Sequence, residues 1–361
     1  WELHPTKPFV KFRQTTEGQA ERMTASASIV LPYRDSGETL DECLKSIQGQ
    51  CFKDWELLAV NDHSSDNSEN IVRGYASKDN RIQPIQSIEK GLVPALNLGV
   101  KHSAASLVAR MDADDRMFPK RLRAQVDFME ENPEVGLVSC KVEYFSSSPN
   151  DTRGYENYVD WTNKLLSHEE ISVNRFVESP FAHPSVLFRK SLLDEFGPYE
   201  DGDFPEDYEL WLRFLSGGVR MNKIDDVLLQ WRDRPARLSR QCKRYSKDAF
   251  QRTKARYLAM WLNEHIDRGM TLTAWGAGKM ARKQAAHLSR EGVNIERFFD
   301  VDPKKIGTPR PGLRVSAIED IPAPGKIFLL VLAGARSARE KITRFLEGKE
   351  YSPGKDYLFL A

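Results

Sequence analysis

No apolar segment of this sequence is long enough to cross a bilayer as a helix. The longest uninterrupted apolar run, at residues 327–335, has nine residues, whereas a spanning helix needs roughly 20. The chain does not open with a basic stretch followed by an apolar one, so we expect no secretory leader. These absences argue against a membrane-spanning or secreted protein and predict a cytoplasmic one.

Cysteine is scarce, and neither sign of charge dominates. The four cysteines form no CxxC pair, which argues against a zinc finger or a disulfide framework and fits a reducing compartment. They are Cys43, Cys51, Cys140 and Cys242. Because 53 Lys and Arg residues balance 52 Asp and Glu residues, the whole chain is not a polycation. With 361 residues, 40% of them hydrophobic, it has the size and composition of a two-domain globular protein.

Short apolar runs alternate with helical patterns from residue 27 onward. Buried strands are predicted at residues 28–31 and 57–60 and further strands at 81–88 and 107–111, with helices at 39–48, from 68 and at 92–102. This order predicts a parallel sheet covered by helices, which binds ligands at the carboxyl ends of its strands. A second strand–turn–helix pattern begins at residue 271.

These patterns divide the chain into four predicted segments. An N-terminal extension covers residues 1–25, and a first α/β domain covers 26–239. A basic helical linker at 240–268 leads to a small Rossmann-like α/β domain at 269–361.

Acidic side chains follow three of the predicted strands. Asp35 and Asp62 follow the first and second strands, and residues 112–115 (Asp-Ala-Asp-Asp) follow the fourth. Three acids within four residues repel one another unless a cation binds, and their oxygens suit Mg²⁺ or Mn²⁺. A solvated acidic turn is the alternative. Farther along, Glu206 and Asp207 begin an amphipathic helix, where acids also favour the helix dipole.

Six segments, in the same order and spacing, resemble the family 2 glycosyltransferases of the GT-A fold. They read IVLPYRDSGETLDECLKSI, LLAVNDHSSDNS, KGLVPALNLG, ARMDADD, HPSVLFRK and EDYELWLR. The resemblance covers about residues 26–239 and implies a mixed α/β sheet, flanked by helices, that binds a nucleotide sugar. It also implies an Mn²⁺- or Mg²⁺-dependent enzyme that transfers the sugar in one inverting step.

The resemblance implies a role for each matching residue. Asp207 is similar to the general base that removes the acceptor's proton, with Glu206 and His183 beside it. For His183, a structural histidine is the alternative. Asp112 and Asp114 are similar to the D-x-D pair, with Asp114 as the direct metal ligand. The implied donor-binding residues are Pro32, Tyr33, Asp35, Asp62, Asp112, Arg232, Arg234 and Arg237.

The sequence departs from the family after Asp207. A basic, His-containing stretch often holds the diphosphate there, but residues 230–240 contain no histidine. Arg234 or Arg237 would take its place, which leaves the diphosphate contacts open. The Q-x-x-R-W motif of processive synthases is also missing, so we predict transfer of a single sugar.

Residues 232–256, the basic segment, stand out in an otherwise neutral chain. They contain ten Lys and Arg residues against two Asp residues, a net charge of +8 in a chain whose net charge is +1. With Tyr245, Phe250 and Tyr257 interleaved, this pattern is typical of a nucleic-acid surface. A solvated helix face with a few diphosphate-binding arginines is the alternative.

A glycine-rich turn begins the second pattern. Gly276 and Gly278 lie between a strand and a helix, and Asp300 ends the next strand, as in a dinucleotide-binding fingerprint. The module, however, has only about 90 residues, roughly half of a full dinucleotide fold. We therefore do not expect bound NAD, and predict an accessory domain that packs on the first domain or binds the acceptor.

The sequence thus favours a glycosyltransferase that uses a UDP-sugar and a glycan or lipid-linked glycan acceptor. The segment WGAGK also resembles, more distantly, the animal queuosine-tRNA galactosyltransferase, so a modified tRNA nucleoside is an alternative acceptor. A non-catalytic nucleotide-sugar-binding protein or an NAD-dependent oxidoreductase would also fit parts of the sequence. The intact Asp112, Asp114 and Asp207 argue against the non-catalytic protein, and the half-size glycine-rich module argues against the oxidoreductase.

Overall fold

The chain forms two helix-flanked sheets. The computed structural model describes residues 25–146, 153–234, 237–267, 269–307, 314–334 and 336–361. The predicted N-terminal extension, apart from its last residue, lies outside this part of the chain. None of the described helices has the length and apolar character needed to cross a membrane.

The first sheet has eight strands. They are β1 (Ala27–Tyr33), β2 (Trp55–Asn61), β3 (Ile82–Gln86), β4 (Leu107–Arg110), β5 (Arg116–Met117), β6 (Val135–Ser146), β7 (Leu187–Arg189) and β8 (Arg220–Asp233). Its helices are α1 (Leu40–Gln48), α2 (Ser68–Ala76), α3 (Leu92–His102), α4 (Arg121–Glu131), α5 (Arg153–Thr162), α6 (His168–Asn174), α7 (Ser191–Phe196) and α8 (Glu206–Ser216).

The order of this sheet is β3-β2-β1-β4-β7-β6-β8-β5. Strands β3, β2, β1 and β4 are parallel, as the alternating pattern predicts. Strand β7 pairs antiparallel with both β4 and β6, so the sheet as a whole is mixed. The carboxyl ends of β1, β2 and β4 therefore meet at one edge.

The second sheet has five parallel strands in the order β11-β10-β9-β12-β13. They are β9 (Thr271–Trp275), β10 (Arg297–Asp300), β11 (Val315–Ala317), β12 (Ile327–Val331) and β13 (Tyr357–Phe359). Helices α11 (Lys279–Arg290) and α12 (Arg336–Gly348) belong to it, and α9 (Leu238–Gln241) and α10 (Lys247–His265) precede it.

Side-chain alternation in β1 divides the first core into two layers. Ile29 and Leu31 pack with α1 and α4 on one face, whereas Val30 packs with α3 and α8 on the other. Helix α10 then joins the two sheets, because Leu258 lies in one apolar cluster with Tyr208 of α8 and with strands β9 and β12. The acids that follow β1, β2 and β4 thus stand on a sheet packed on both faces.

The contact of α3 with this sheet yields a stability prediction for Gly99→Ala. A Cβ at Gly99 would lie 2.5 Å from Cγ1 of Val30 and 3.3 Å from Cγ2 of Val60. Overpacking of this kind costs about 1–3 kcal/mol, more than the roughly 1 kcal/mol that alanine gains over glycine in a helix. We expect a lower free energy of unfolding in urea.

Gly74→Ala is the matched control, since Gly74 lies in α2 and a Cβ there would have no atom within 4 Å. It should raise the free energy of unfolding by up to about 1 kcal/mol. Equal stabilisation by both substitutions would show that α3 does not pack this closely on the sheet.

Candidate active site

A cleft of about 1770 Å³ opens at the carboxyl ends of β1, β2 and β4. Eleven of the residues singled out in the sequence line it: Pro32, Tyr33, Asp35, Asp62, Asp112, Asp114, His183, Glu206, Asp207, Arg234 and Arg237. Four others lie outside its lining, namely Arg232, Gly276, Gly278 and Asp300. The two groups of acids, from the strand ends and from the start of α8, therefore share one cleft.

The loops after β1 and β2 form one wall of the cleft, and two aspartates with different surroundings fix them. Oδ1 of Asp62 accepts a hydrogen bond from the backbone N–H of Gly91 at 2.7 Å, and Nη1 of Arg34 lies 3.9 Å from its Oδ2. Oδ1 of Asp35 accepts from the backbone N–H of Ser65 at 2.7 Å and from its hydroxyl at 3.0 Å. These hydrogen bonds lower the pKa of Asp35 and bind the two loops to each other.

Three carboxylates converge after β4. The ligand oxygens of Asp112, Asp114 and Asp115 all lie within 4.8 Å of one another. Burial and then repulsion by neighbouring carboxylates raise the pKa of both Asp114 and Asp115. Within the described ranges, the buried Oδ2 of Asp115 has no hydrogen-bond partner. An oxygen-only donor set under mutual repulsion fits a hard divalent cation.

Arginines from several elements surround these acids. Arg110 forms an ion pair with Asp112, and Nε of Arg234 lies 3.5 Å from Oδ2 of Asp114. The guanidinium of Arg237 stacks 3.8 Å from the ring centroid of Trp231. Arg234 and Arg237 line the cleft, so they are placed to meet an anionic ligand beside the acids.

Arg232 lies behind the acidic loop. Its Nε donates to the backbone oxygen of Asp114 at 2.8 Å, and its Nη2 pairs with Glu42. Its backbone N–H donates to Oδ1 of Asp115 at 2.7 Å. In this structure Arg232 supports the loop, and its guanidinium is engaged by protein groups.

The other end of the cleft is the first turn of α8. Burial, and next the neighbouring carboxylate of Glu206, raise the pKa of Asp207 to about 7. Glu206 is only 2% exposed, and its Oε2 accepts from the hydroxyl of Tyr245 at 2.7 Å. Arg244 places its Nη1 3.7 Å from the same oxygen. Asp207 is thus a partly exposed carboxyl with a pKa near neutral pH, a value suited to general-base chemistry.

His183 stands behind Glu206. Its Nδ1 lies 3.9 Å from Oε1 of Glu206, and its Nε2 is 3.0 Å from the hydroxyl oxygen of Tyr199. Burial and then the charge of Arg110 lower the pKa of His183 well below its ordinary value. The imidazole is therefore neutral, and the hydrogen bond of its ring is with Tyr199, since 3.9 Å is too long for a hydrogen bond to Glu206.

Three residues that the sequence analysis did not assign to this site complete the arrangement: Arg110, Arg244 and Tyr245. Arg110 lies two residues before Asp112, and a charged residue that ends a buried strand was a usable signal. Arg244 and Tyr245 lie about 40 residues beyond Glu206 in the chain, so no local pattern links them to it.

The basic segment is partly paired within the protein. Five of its arginines pair with acidic side chains: Arg232 with Glu42, Arg234 with Asp114, Arg240 with Asp233, Arg244 with Asp201 and Arg252 with Asp248. Lys254 is buried and donates to two backbone oxygens. Part of the segment's positive charge is therefore compensated by acidic side chains of other elements, namely Glu42, Asp114 and Asp201.

Backbone groups and the side chain of Asp300 occupy the space around the glycine-rich turn after β9. Gly276 has a φ of +108°, and a Cβ there would lie 3.3 Å from the backbone nitrogen of Ala333. Oδ2 of Asp300 accepts from the backbone N–H of Ala277 at 2.8 Å, and its Oδ1 accepts from a backbone N–H two residues on. Gly278 is the N-cap of α11. The acid that would bind a ribose in a dinucleotide fold is thus engaged by backbone groups.

Known proteins are similar to the part of the chain that forms most of the first sheet. Residues 28–197 match the family model for Glycosyl transferase family 2. The amylovoran biosynthesis glycosyltransferase AmsE of Erwinia amylovora is 33% identical over 211 residues, which cover 57% of this chain and 75% of that protein. The chain belongs to glycosyl transferase family 2. It is a glycosyltransferase with a GT-A-like sheet.

Two further similarities agree with this assignment. The UDP-Gal:alpha-D-GlcNAc-diphosphoundecaprenol beta-1,3-galactosyltransferase of Escherichia coli is 32% identical over 209 residues, 57% of this chain and 73% of that enzyme. Among solved structures, S. aureus TarS 1-349 in complex with UDP-GlcNAc has a TM-score of 0.52. It shares 16% sequence identity and covers 74% of this chain and 71% of that one, a likeness of fold.

The raised pKa of Asp207 predicts how Asp207→Asn changes stability with pH. Between about pH 4 and pH 7 the unfolded chain releases the Asp207 proton while the folded chain keeps it, so folding stability falls as pH rises. Asparagine does not titrate. We expect the variant to gain stability relative to the parent between pH 5 and pH 8, on the order of 2 kcal/mol.

Tm measured across this pH range checks the prediction. Asp194→Asn, on the exposed surface of α7, is the control and should show a difference that does not change with pH. A flat difference for Asp207→Asn as well would mean that Asp207 is ionised in both states throughout the range.

Proposed function

We propose that this glycosyltransferase is an inverting, metal-dependent enzyme that transfers one sugar from a UDP-sugar to an acceptor hydroxyl. The observation that carries the proposal is the shared cleft, which holds the acidic cluster of Asp112 and Asp114 at one end and Asp207 at the other. A nucleotide-sugar donor needs the acidic cluster, and the acceptor hydroxyl needs the carboxylate of Asp207. The E. coli relative, whose name specifies UDP-Gal, supports the choice of nucleotide.

Asp114 and Asp112 would hold Mn²⁺ or Mg²⁺. When bound, the ion supplies Lewis-acid stabilisation of the charge that develops on a departing diphosphate. The raised pKa of Asp114 supports this role, because it shows that the nearby arginines do not fully offset burial and the charge of Asp112. Arg234 and Arg237 supply cationic groups on the same wall, where the family's basic stretch is expected.

Pro32, Tyr33 and Asp62 would hold the nucleoside. Pro32 and Tyr33 end β1, Asp62 follows β2, and all three line the cleft. Asp35 would act from the rim, where it fixes the loop that contains Ser65.

Asp207 would remove the proton of the acceptor hydroxyl as that oxygen attacks the anomeric carbon. A single displacement of this kind inverts the configuration and needs no carboxylate nucleophile. Tyr245 donates a hydrogen bond to Glu206 and so favours its ionised form, which in turn keeps the pKa of Asp207 high. His183 would act as a positioning residue through Glu206.

A glycan hydroxyl is the acceptor that we propose. The E. coli relative is named for transfer to a sugar linked to a lipid diphosphate, which supports a saccharide acceptor. Three arginines of the basic segment pair with acids of other elements, which reduces the charge that favoured tRNA. We also propose the segment boundaries 26–239, 240–268 and 269–361, which the two separate sheets support.

The first experiment measures nucleoside-diphosphate release from a panel of sugar nucleotides with Mn²⁺ and saccharide acceptors. We expect release from a UDP-sugar by the parent, and a loss of about 100- to 10,000-fold in Asp207→Asn, the usual contribution of a general base. UDP binding should survive in this variant. Transfer at the parental rate in Asp207→Asn would contradict the assignment of the base, and Asp194→Asn is the control.

The second experiment measures UDP binding by calorimetry with and without Mn²⁺. The parent should bind UDP more tightly with the ion, and Asp114→Ala should lose that difference because it removes the ligand oxygen. Asp194→Ala is the matched control. Equal affinity in the parent with and without Mn²⁺ would contradict the metal site.

A further inference from the structure

The second sheet borders the cleft at the point where its strand order reverses. Its order is β11-β10-β9-β12-β13, so β9 to β11 extend the sheet on one side and β12 and β13 on the other. Ligands of open parallel sheets bind at the carboxyl ends of the strands beside such a point. Met280 in the first turn of α11, Leu332 after β12 and Leu360 after β13 all line the cleft. The crevice of the second sheet is therefore part of the cleft that contains Asp207.

Three cationic side chains line this end of the cleft, and we call them the cationic wall. Lys247 and Lys254 belong to α10, and Arg339 belongs to α12. Within the described ranges, none of the three has an acidic side chain within 4 Å. The nearby Arg244, in contrast, pairs with Asp201. The positive charge of the cationic wall is therefore not compensated at close range.

Two acidic side chains line the same end of the cleft. Burial raises the pKa of Glu178, although Lys254 and Lys247 oppose the shift. Glu340 is exposed, and its Oε2 lies 3.8 Å from Nη2 of Arg344, a cation outside the cleft lining. This end of the cleft therefore keeps an excess of positive charge.

The three cations of the wall differ in how they are held. Lys254 is 5% exposed, and its Nζ donates to two backbone oxygens at 2.9 and 2.8 Å. The guanidinium carbon of Arg339 lies 4.6 Å from the ring centroid of Phe359, and its Nη2 lies 3.4 Å from the backbone oxygen of Ala361. Lys247 is exposed in the first turn of α10. A ligand can therefore contact Arg339 and Lys247, while Lys254 contributes through its buried charge.

Tyr158 connects the cationic wall with Asp207. Burial, and then the charges of Glu178 and Asp207, raise the pKa of Tyr158, so both carboxyl groups lie near its hydroxyl. Glu178 in turn lies within reach of the charges of Lys254 and Lys247. A saccharide with one hydroxyl at Asp207 can thus place a neighbouring substituent at the wall.

We infer that the acceptor is a saccharide that carries a phosphate group, and that the cationic wall binds this phosphate through Arg339 and Lys247. Arginine binds phosphate through paired N–H donors, and lysine binds it as a point charge. Helices α11 and α12 follow β9 and β12 without an acid in their first turns, so the positive ends of their dipoles add to the field. This inference rests on the proposed function, because it assumes that Asp207 acts on a saccharide hydroxyl.

A titration with inorganic phosphate, followed by phosphorus NMR, tests the wall without requiring transfer. The protein is first saturated with UDP and Mg²⁺, which occupy the donor end of the cleft. The parent should bind phosphate beside UDP. Arg339→Gln and Lys247→Gln should each raise the Kd of phosphate about 10- to 100-fold, the size of one hydrogen bond to a charged group. Added NaCl should also raise the parental Kd, because salt screens exposed charges.

Arg282→Gln on α11 and Lys341→Gln on α12 are the matched controls. Both residues are exposed and lie outside the cleft lining, so each control removes one positive charge from the helices of the second sheet and should keep the parental Kd. UDP binding at the parental affinity shows that each variant is folded. No phosphate binding in the parent, or parental affinity in both Arg339→Gln and Lys247→Gln, would overturn the inference.

An acceptor assay then tests whether the bound phosphate belongs to the acceptor. Glucose, galactose, mannose and N-acetylglucosamine are each compared with their 1-phosphates, using the UDP-sugar that the parent cleaves. We expect a parental KM at least about tenfold lower for the phosphorylated form, and a ratio near one in Arg339→Gln. Equal KM values in the parent, or transfer to total tRNA with every saccharide inert, overturn the phosphorylated saccharide as the acceptor.

The remaining outcomes separate this inference from the proposed function. If UDP binds and sugar is transferred but phosphate does not bind beside UDP, the cationic wall is wrong as a phosphate site and the transferase assignment stands. If UDP does not bind and no sugar nucleotide is cleaved, the proposed function is wrong, and the phosphorylated acceptor is overturned with it.

Discussion

The positive charge of Arg110 connects the two halves of this cleft. The residue is 3% exposed, pairs with Asp112, and its charge counteracts the burial that raises the pKa of Glu206 and Asp207. Its backbone is fixed as well, because its oxygen accepts from the fully buried Arg121 at 3.0 Å. Carboxylates gathered this closely repel one another, so both the acidic cluster after β4 and the carboxylates that begin α8 depend on this guanidinium.

The sequence pattern predicted four strands of the first sheet. Strand-like runs separated by helical patterns predicted that β1 to β4 run parallel, because parallel strands are connected by crossover helices. Strand β7 could not be placed in the same way. It has three residues, and its antiparallel pairing with β4 and β6 depends on chain far away in sequence. Short strands of this kind gain their stability from tertiary contacts, which periodicity does not record.

The candidate site could be predicted where its residues follow strands, and not where its contacts are long-range. Asp62, Asp112 and Asp207 line one cleft because parallel strands and the start of α8 direct them there. The hydrogen bond from Tyr245 to Glu206 joins residues 39 positions apart, and only the packing of α10 on α8 brings them together. The same limit applies to charge, since three arginines of the basic segment pair with Glu42, Asp114 and Asp201 on distant elements.

Helix α10 has a consequence for how such a chain can recombine. One of its faces packs with Tyr208 and Leu212 of α8, and residues such as Leu258 and Leu262 also join the cluster that contains Phe328 of β12. Genetic recombination at a point before α10 would pack the helix against α8 of another protein. Recombination at a point after α10 would pack it against the second sheet of another protein. The two described sheets are therefore inherited most safely as one unit, even though each has its own strand order and core.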